Sequence, residues 1–219
     1  MNDATRVAPN LLSILFHPLL VPTYMFLLLM AVNPYLFGAN GLLERRGLLL
    51  LLMIFLYTFV IPLVSIFIML KLEMVDSLQL EDRMQRIGPL MLVMILYFWV
   101  YYNFSQDNDT PPAFSAALLG VVLSLAIAFA INVVDKISLH GVGMGGLVGM
   151  AMITTGLFGG GVELAGWTIG AGLLTLMITL LAGLVGTARL ALGAHTTTQL
   201  YSGYLVGFLT QWLALKFYF

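Results

Sequence analysis

The sequence lacks cysteine and has few charged residues, and both shortages restrict what the protein is. None of its 219 residues is cysteine, which excludes disulfides, thiolate catalysis and cysteine metal sites. Charged residues make up 9% of the chain, against about 25% in soluble domains, and the mean hydropathy is +1.02. The net charge of −1 provides no basic surface for nucleic acid, so no nucleic-acid partner is expected. We therefore expect an integral membrane protein.

Long polar stretches are also absent, so the sequence predicts a single transmembrane domain over residues 1–219. A membrane helix needs about 20 apolar residues. This rule predicts an all-α bundle of seven transmembrane helices, near 11–32, 47–70, 88–104, 113–135, 142–158, 164–187 and 197–216. The fifth is short and rich in glycine, so six spans and a half-helix are the alternative. Strands are not expected, because the apolar runs lack the alternation of a membrane barrel.

Several shorter features modify this plan. The connection over residues 71–86 predicts a partly amphipathic helix at the membrane surface. The glycine run at 159–161 predicts a flexible turn, and His17 before Pro18 starts or kinks the first helix, with a weaker case for bordering a substrate groove. No clean cleavage pattern follows this first apolar stretch, so we expect it to be retained. A glycine stripe on the fifth helix indicates close helix packing rather than a ligand site: Gly141, Gly145 and Gly149.

Basic and histidine side chains recur in every second connection. Because successive spans reverse direction, the connections after helices two, four and six lie on the same side as the N-terminus. They contain Lys71, Arg83, Arg86, Lys136, His140, Arg189 and His195. The sequence therefore predicts that these side chains meet on one membrane face.

Arg189 and His195 are the most informative pair in this set. An arginine near a bilayer is costly, about 2.5–3.5 kcal/mol at a helix centre, although a helix-end arginine can extend to the interface. Interfacial anchoring is thus one interpretation of Arg189, and capping of the last helix is one interpretation of His195. Together, converging arginines and histidines indicate an anion site, since arginine binds phosphate and histidine can attack phosphorus. A metal site is less favoured, because the surrounding arginines would repel a cation.

These residues carry a resemblance to a known family. The sequence resembles a divergent member of the type 2 phosphatidic acid phosphatase superfamily, whose motifs are K-x6-R-P, P-S-G-H and S-R-x5-H-x3-D. The third motif is matched by Ala188-Arg189-x5-His195-x3-Gln199, and the second by Ile137-Ser138-Leu139-His140. Asp82-Arg83-Met-Gln-Arg86-Ile-Gly-Pro89 stands where the first should lie. The resemblance covers about residues 71–207.

The resemblance implies roles for individual residues. His195 would be the nucleophile that takes the phosphoryl group, and His140 would protonate the leaving alcohol. The phosphate oxygens would be held by Arg189, Ser138 and Arg86, with Lys136 or Arg83 replacing the missing lysine of the first motif. For Lys136, a helix-end side chain that extends to the interface is an equally weighted alternative. No cofactor or metal is implied.

Three of the departures from the family pattern bear directly on the expected chemistry. Gln199 replaces the aspartate that orients the nucleophilic histidine, and Gln79 replaces the first-motif lysine. Leu139 replaces a glycine of the second motif. In serine hydrolase triads, an amide in place of the orienting carboxylate costs about 10⁴ in rate. A slow phosphatase is expected unless Asp82, Glu81 or Asp135 replaces that carboxylate.

The expected function is therefore a metal-independent membrane phosphatase acting through a phosphohistidine intermediate. The expected substrate is a lipid phosphate or a polyprenyl (di)phosphate, with its tails in contact with membrane lipids, and the expected location is the bacterial inner membrane. Two alternatives stay open: a prenyl-diphosphate phosphotransferase, lyase or cyclase, and a non-catalytic lipid or anion carrier. A homo-oligomer stays open as a partner.

Overall fold

The fold is an all-α bundle with one small hairpin, in a computed structural model that describes residues 3–78, 80, 82–164 and 167–219. Within these residues, six helices are long and apolar enough to cross a membrane: Arg6–Val32, Arg45–Lys71, Met84–Gln106, Pro112–Val134, Leu139–Phe158 and Ala171–Ala191. The regular helices are α1 (Asp3–Leu15), α2 (Val21–Val32), α3 (Arg45–Phe55), α4 (Ile61–Lys71), α5 (Ile87–Gln106), α6 (Pro112–Val134), α7 (Leu139–Phe158), α8 (Ala171–Ala191) and α9 (Thr197–Tyr218). The chain is thus an integral membrane helical bundle, as its composition predicts.

The predicted helix positions hold with three corrections. The seventh predicted span is present as α9, but it is not among the six helices that are apolar enough to cross a membrane. The glycine-rich helix α7 is 20 residues long, so the half-helix alternative is wrong. The sixth predicted span begins at Ala171 instead of residue 164, because an antiparallel hairpin precedes it. Its strands are β1 (Gly161–Leu164) and β2 (Trp167–Gly170), with Gly161 opposite Gly170. The glycine run therefore ends α7 and leads into the hairpin, where Gly159 and Gly160 adopt positive φ angles of 56° and 64°.

The break between α1 and α2 places His17 inside the bundle. Pro18 starts a short 3₁₀ turn, where its missing N–H leaves no donor unpaired. His17 caps this turn, and its Nδ1 accepts a hydrogen bond from the backbone N–H of Leu19 at 3.3 Å. The predicted kink at His17 is confirmed.

A wide helical turn between α3 and α4 supports α5. Residues 56–60 form a π-helical turn, and Pro62, which has no N–H, follows four residues after Thr58. The free carbonyl of Thr58 accepts a hydrogen bond of 2.7 Å from the Tyr97 hydroxyl on α5. Insertions of this kind often occur beside functional sites, and Tyr97 lines the cavity described below.

Glycines allow α7 and α9 to pack with their backbones in contact, as the stripe predicts. A Cβ atom on Gly145 would lie 2.2 Å from the Tyr204 carbonyl oxygen, and one on Gly207 would lie 1.9 Å from the Val142 carbonyl oxygen. Larger side chains at these positions would separate the helices. The close contact continues to the helix starts, where the Ser138 N–H donates to the Gln199 carbonyl at 3.1 Å.

The connection between α4 and α5 is not the predicted interfacial helix. Among its described residues, only Met84–Arg86 is helical, as a 3₁₀ turn. Glu73 and Leu80 have positive φ angles of 57° and 48°, which interrupt any helix through this stretch. The segment instead turns inward, and its Val75 side chain is buried.

Candidate functional site

The predicted convergence of the polar connections is observed for Arg86, Lys136, His140, Arg189 and His195. Lys71 is an exception, because it is exposed and lies over the Phe67 ring. Arg86 Nη1 donates to the Ile137 carbonyl at 3.0 Å, and Lys136 Nζ donates to the Ala194 carbonyl at 3.2 Å. Arg189 Nη1 lies 3.2 Å from Ser13 Oγ. The connections after α4, α6 and α8 therefore meet beside the end of α1.

A cavity of about 340 Å³ begins at this meeting point. Its polar end is lined by two arginines and all three histidines of the chain: Arg86, Arg189, His17, His140 and His195. Its remaining wall is mainly apolar and includes Met25, Leu63, Ile66, Leu90, Val93, Val121 and Leu125. No aspartate or glutamate lines it among the residues that the structure describes. The cavity thus combines a cationic head region with an apolar channel.

Neither arginine of the cavity forms an ion pair with a carboxylate within the described part of the chain. Arg86 is 6% exposed, and its Nε donates to the Leu80 carbonyl at 2.7 Å. The Nε atom of Arg189 is buried without a hydrogen-bond partner within the described ranges. A buried cation of this kind is costly unless a negative charge is supplied. The polar end is therefore suited to an anion.

His195 is held in one tautomer by Gln199. Thr196 caps α9, and its N–H donates to Gln199 Oε1 at 3.3 Å, so an oxygen must occupy that position. The same oxygen lies 3.3 Å from His195 Nδ1, which must then carry the proton. This leaves Nε2 of the neutral imidazole with a free lone pair. Thr196, not His195, is the cap of the last helix.

Burial lowers the pKa of His195 to about 4, and the positive charge of Arg86 adds to the effect. Arg189 and Lys136 act in the same direction, while the hydrogen bond to Gln199 opposes them. Since this pKa lies below the usual 6.5, the imidazole is neutral at physiological pH. Neutral imidazole is the form in which histidine acts as a nucleophile.

We expect NMR titration of the labelled imidazoles to show His195 neutral, protonated on Nδ1, down to about pH 5. The midpoint should lie near the pKa of about 4. The Arg86→Gln variant should move it upward, because a nearby positive charge is removed. Arg46→Gln is the control, since Arg46 at the start of α3 pairs with Asp109 on the other side of the membrane domain. A wild-type midpoint near 6.5 would contradict the buried, cationic environment.

The other two histidines have different hydrogen-bond partners. His140 Nε2 lies 3.0 Å from the Ser13 carbonyl, which can only accept, so this nitrogen carries the proton and Nδ1 has the lone pair. His17 accepts on Nδ1, so its neutral form carries the proton on Nε2. The two rings contact edge to face, with centroids 5.9 Å apart. Only the weaker interpretation of His17 assigned it to the site.

Four predicted site residues do not line the cavity. Ser138 is fully buried and caps α7 by accepting from the Gly141 N–H at 3.2 Å. Arg83 donates to the carbonyls of Val133 and Val134 at the end of α6. Lys136 and Gln199 lie behind His195, where the first adds positive charge and the second fixes the tautomer. These positions assign Ser138 and Arg83 to helix ends.

The carboxylates considered as substitutes for the orienting aspartate are placed elsewhere. Asp82 accepts from the Met84 N–H at 3.2 Å, and Asp135 accepts from the Lys136 N–H at 2.7 Å. Both are exposed. Gln79 and Glu81 lie outside the described residues. The only group bonded to the His195 ring within the described ranges is therefore the Gln199 amide.

Comparison with known proteins gives no matching family model, no matching curated protein and no matching solved structure. The chemistry of the cavity is therefore the basis for assigning a function. It offers a neutral histidine with a free lone pair, two cations without carboxylate partners among the described residues, and an apolar channel.

Proposed function

We propose that the protein is a metal-independent phosphatase of the membrane that hydrolyses a lipid phosphate or polyprenyl (di)phosphate. The observation that carries the proposal is the buried Nε of Arg189, which has no hydrogen-bond partner among the described residues and lies at the head of a cavity that also holds His195. A phosphate would supply the missing negative charge, and arginine binds phosphate oxygens through paired N–H groups. The apolar wall suits a hydrocarbon tail. The resemblance of the sequence to the type 2 phosphatidic acid phosphatase superfamily points to the same chemistry.

In the proposed first step, His195 Nε2 attacks phosphorus as the bond from phosphorus to the alcohol oxygen breaks. The phosphoryl group then resides on His195, and the leaving oxygen takes a proton from the Nδ1 of protonated His140. The Ser13 carbonyl, 3.0 Å from Nε2 of His140, stabilises this imidazolium. Binding of a phosphate anion favours the protonated form, since opposite charges attract.

In the proposed second step, water attacks the phosphohistidine and the phosphorus–nitrogen bond breaks. The water proton passes to His140, which lost its own proton in the first step, and inorganic phosphate leaves. Arg86 and Arg189 bind the phosphoryl oxygens throughout, which supplies most of the catalysis that phosphoryl transfer needs. His17 adds a neutral Nε2–H donor for one oxygen, comparable to the neutral histidine electrophile of an isomerase.

Gln199 is compatible with this chemistry. The loss of about 10⁴ in serine hydrolase triads arises because an amide there stabilises the wrong histidine tautomer. Here the Thr196 N–H orients the amide oxygen toward His195, so the productive tautomer is retained. The amide still provides no negative charge for an imidazolium, so turnover below that of a carboxylate-supported site is expected.

We expect purified protein in detergent micelles to release inorganic phosphate from phosphatidic acid or a polyprenyl diphosphate in the presence of EDTA. Mass spectrometry should identify the dephosphorylated lipid as the product. Loss of activity with the chelator would contradict metal independence, and a transferred or cyclised product would support the transferase, lyase or cyclase alternative. If the wild type is inactive and Gln199→Asp gains hydrolysis, the carrier alternative is favoured.

A further inference from the structure

A buried amide lies at the apolar end of the cavity. Gln211 on α9 is 2% exposed and lines the cavity. Its Nε2 is 3.4 Å from the Ala117 carbonyl, and that carbonyl can accept only from nitrogen, which fixes which amide atom is oxygen. The Oε1 atom is buried without a hydrogen-bond partner within the described ranges. The amide therefore presents an unused acceptor.

Glycines on two neighbouring helices make the space for this amide. A Cβ atom on Gly120 of α6 would lie 2.6 Å from Gln211 Nε2, and one on Gly149 of α7 would lie 3.3 Å from its Cβ. Gly146 is also in contact range, at 3.6 Å from Nε2. An apolar side chain of similar size would avoid burying an unpaired acceptor. The arrangement is thus a built polar position in a mainly apolar wall.

The distance of Gln211 along the cavity from the proposed phosphate site determines which part of a bound lipid it can contact. Gly146 lies six residues beyond His140 on α7, a rise of about 9 Å. With the phosphate level with His140, a group about five bonds from phosphorus in an extended chain reaches roughly the depth of the Gln211 amide. Only a donor can pair with Oε1, which selects a hydroxyl or an amide N–H.

Building on the proposed phosphatase function, we propose that Gln211 selects lipid phosphates that carry a hydroxyl or amide N–H about five bonds from phosphorus. Lipids of the ceramide phosphate class have such donors. Phosphatidic acid has only ester acceptors at this depth, and polyprenyl phosphates have only hydrocarbon. A site built to pair with a donor discriminates against an analogue that lacks it, because the buried acceptor stays unpaired.

The test compares ceramide 1-phosphate with phosphatidic acid of matched chain length, in both turnover and competitive binding. We expect wild-type kcat/KM to favour the ceramide lipid by at least about 10-fold, and the Gln211→Met variant to lose this preference through a fall in kcat/KM for the ceramide lipid. Met has a similar shape without the acceptor, so thermal unfolding should be unchanged or improved.

The two proposals fail in different ways. Turnover of both lipids with no preference in the wild type, or with the same preference in Gln211→Met, would overturn the selection and leave the phosphatase intact. A Gln211-dependent preference in binding, without phosphate release, would overturn the phosphatase and support the selection. A water bound to Oε1 in place of lipid gives equal binding of the two lipids, which also overturns the selection.

Discussion

We expect the His195→Gln variant to lose phosphate release by at least about 10⁴-fold, because the atom that attacks phosphorus is gone. The remaining cations and histidines still bind and polarise the phosphate, so substrate binding should change little. His195 is only 8% exposed, and glutamine can keep a polar contact with Gln199. The variant should therefore fold, and the loss should appear in kcat.

The measurement is inorganic phosphate release, paired with acid-sensitive labelling of the protein by a radiolabelled lipid phosphate. Wild type should carry label on His195, and the variant should carry none. Thr198→Ala is the matched control, since Thr198 is exposed in the first turn of α9 and should keep full activity. A His195→Gln protein with near wild-type turnover would refute the assigned nucleophile.

The position of the site could be predicted from the order of apolar segments. Once the chain is divided into spans, the parity of the connections brings Arg86, Lys136, Arg189 and His195 to one face. Hydrogen bonds among these connections confirm that expectation. The same argument places Arg46 and Asp109 on the opposite side of the bundle, where they form an ion pair.

The role of Gln199 could have been read more fully from the sequence. Thr196 and Gln199 have the spacing of a capping box, which fixes the direction of the glutamine side chain. By contrast, the Ser138 hydroxyl is suited to either of two roles, because a serine before a helix can cap the helix or bind phosphate. Sequence alone cannot separate these, and the contact with the Gly141 N–H assigns Ser138 to capping.

Other features depend on tertiary contacts that a linear pattern does not contain. The inclusion of His17 follows from the kink at Pro18 together with the packing of the first segment beside α7. The isolation of Gln211 requires the glycines of α6 and α7, which lie far from it in sequence. The hairpin before α8 was missed because its eight strand residues are too few to change the average apolarity of the segment.

The second large effect is expected from Arg189→Gln, which should lower kcat/KM by about 10²–10³-fold, the usual cost of removing a charge-assisted contact to a buried anion. Arg189→Lys should restore little, since an ammonium cannot reproduce the planar, two-pronged contact with phosphate. Phosphate release and competitive inhibition by vanadate are the measurements. Arg46→Gln is the control, because that arginine pairs with Asp109 on the exposed surface.

Arg189 also touches Ser13, so its loss can act by loosening α1 instead of by weakening the anion site. The Ser13→Ala variant distinguishes the two causes, because it removes the 3.2 Å contact between Arg189 Nη1 and Ser13 Oγ but keeps the positive charge of Arg189. We expect Ser13→Ala to retain most activity, since a single hydrogen bond contributes about 1 kcal/mol. It also keeps the Ser13 carbonyl that orients His140. If Ser13→Ala is as damaging as Arg189→Gln, the arginine acts through helix packing, and the anion site loses its main support.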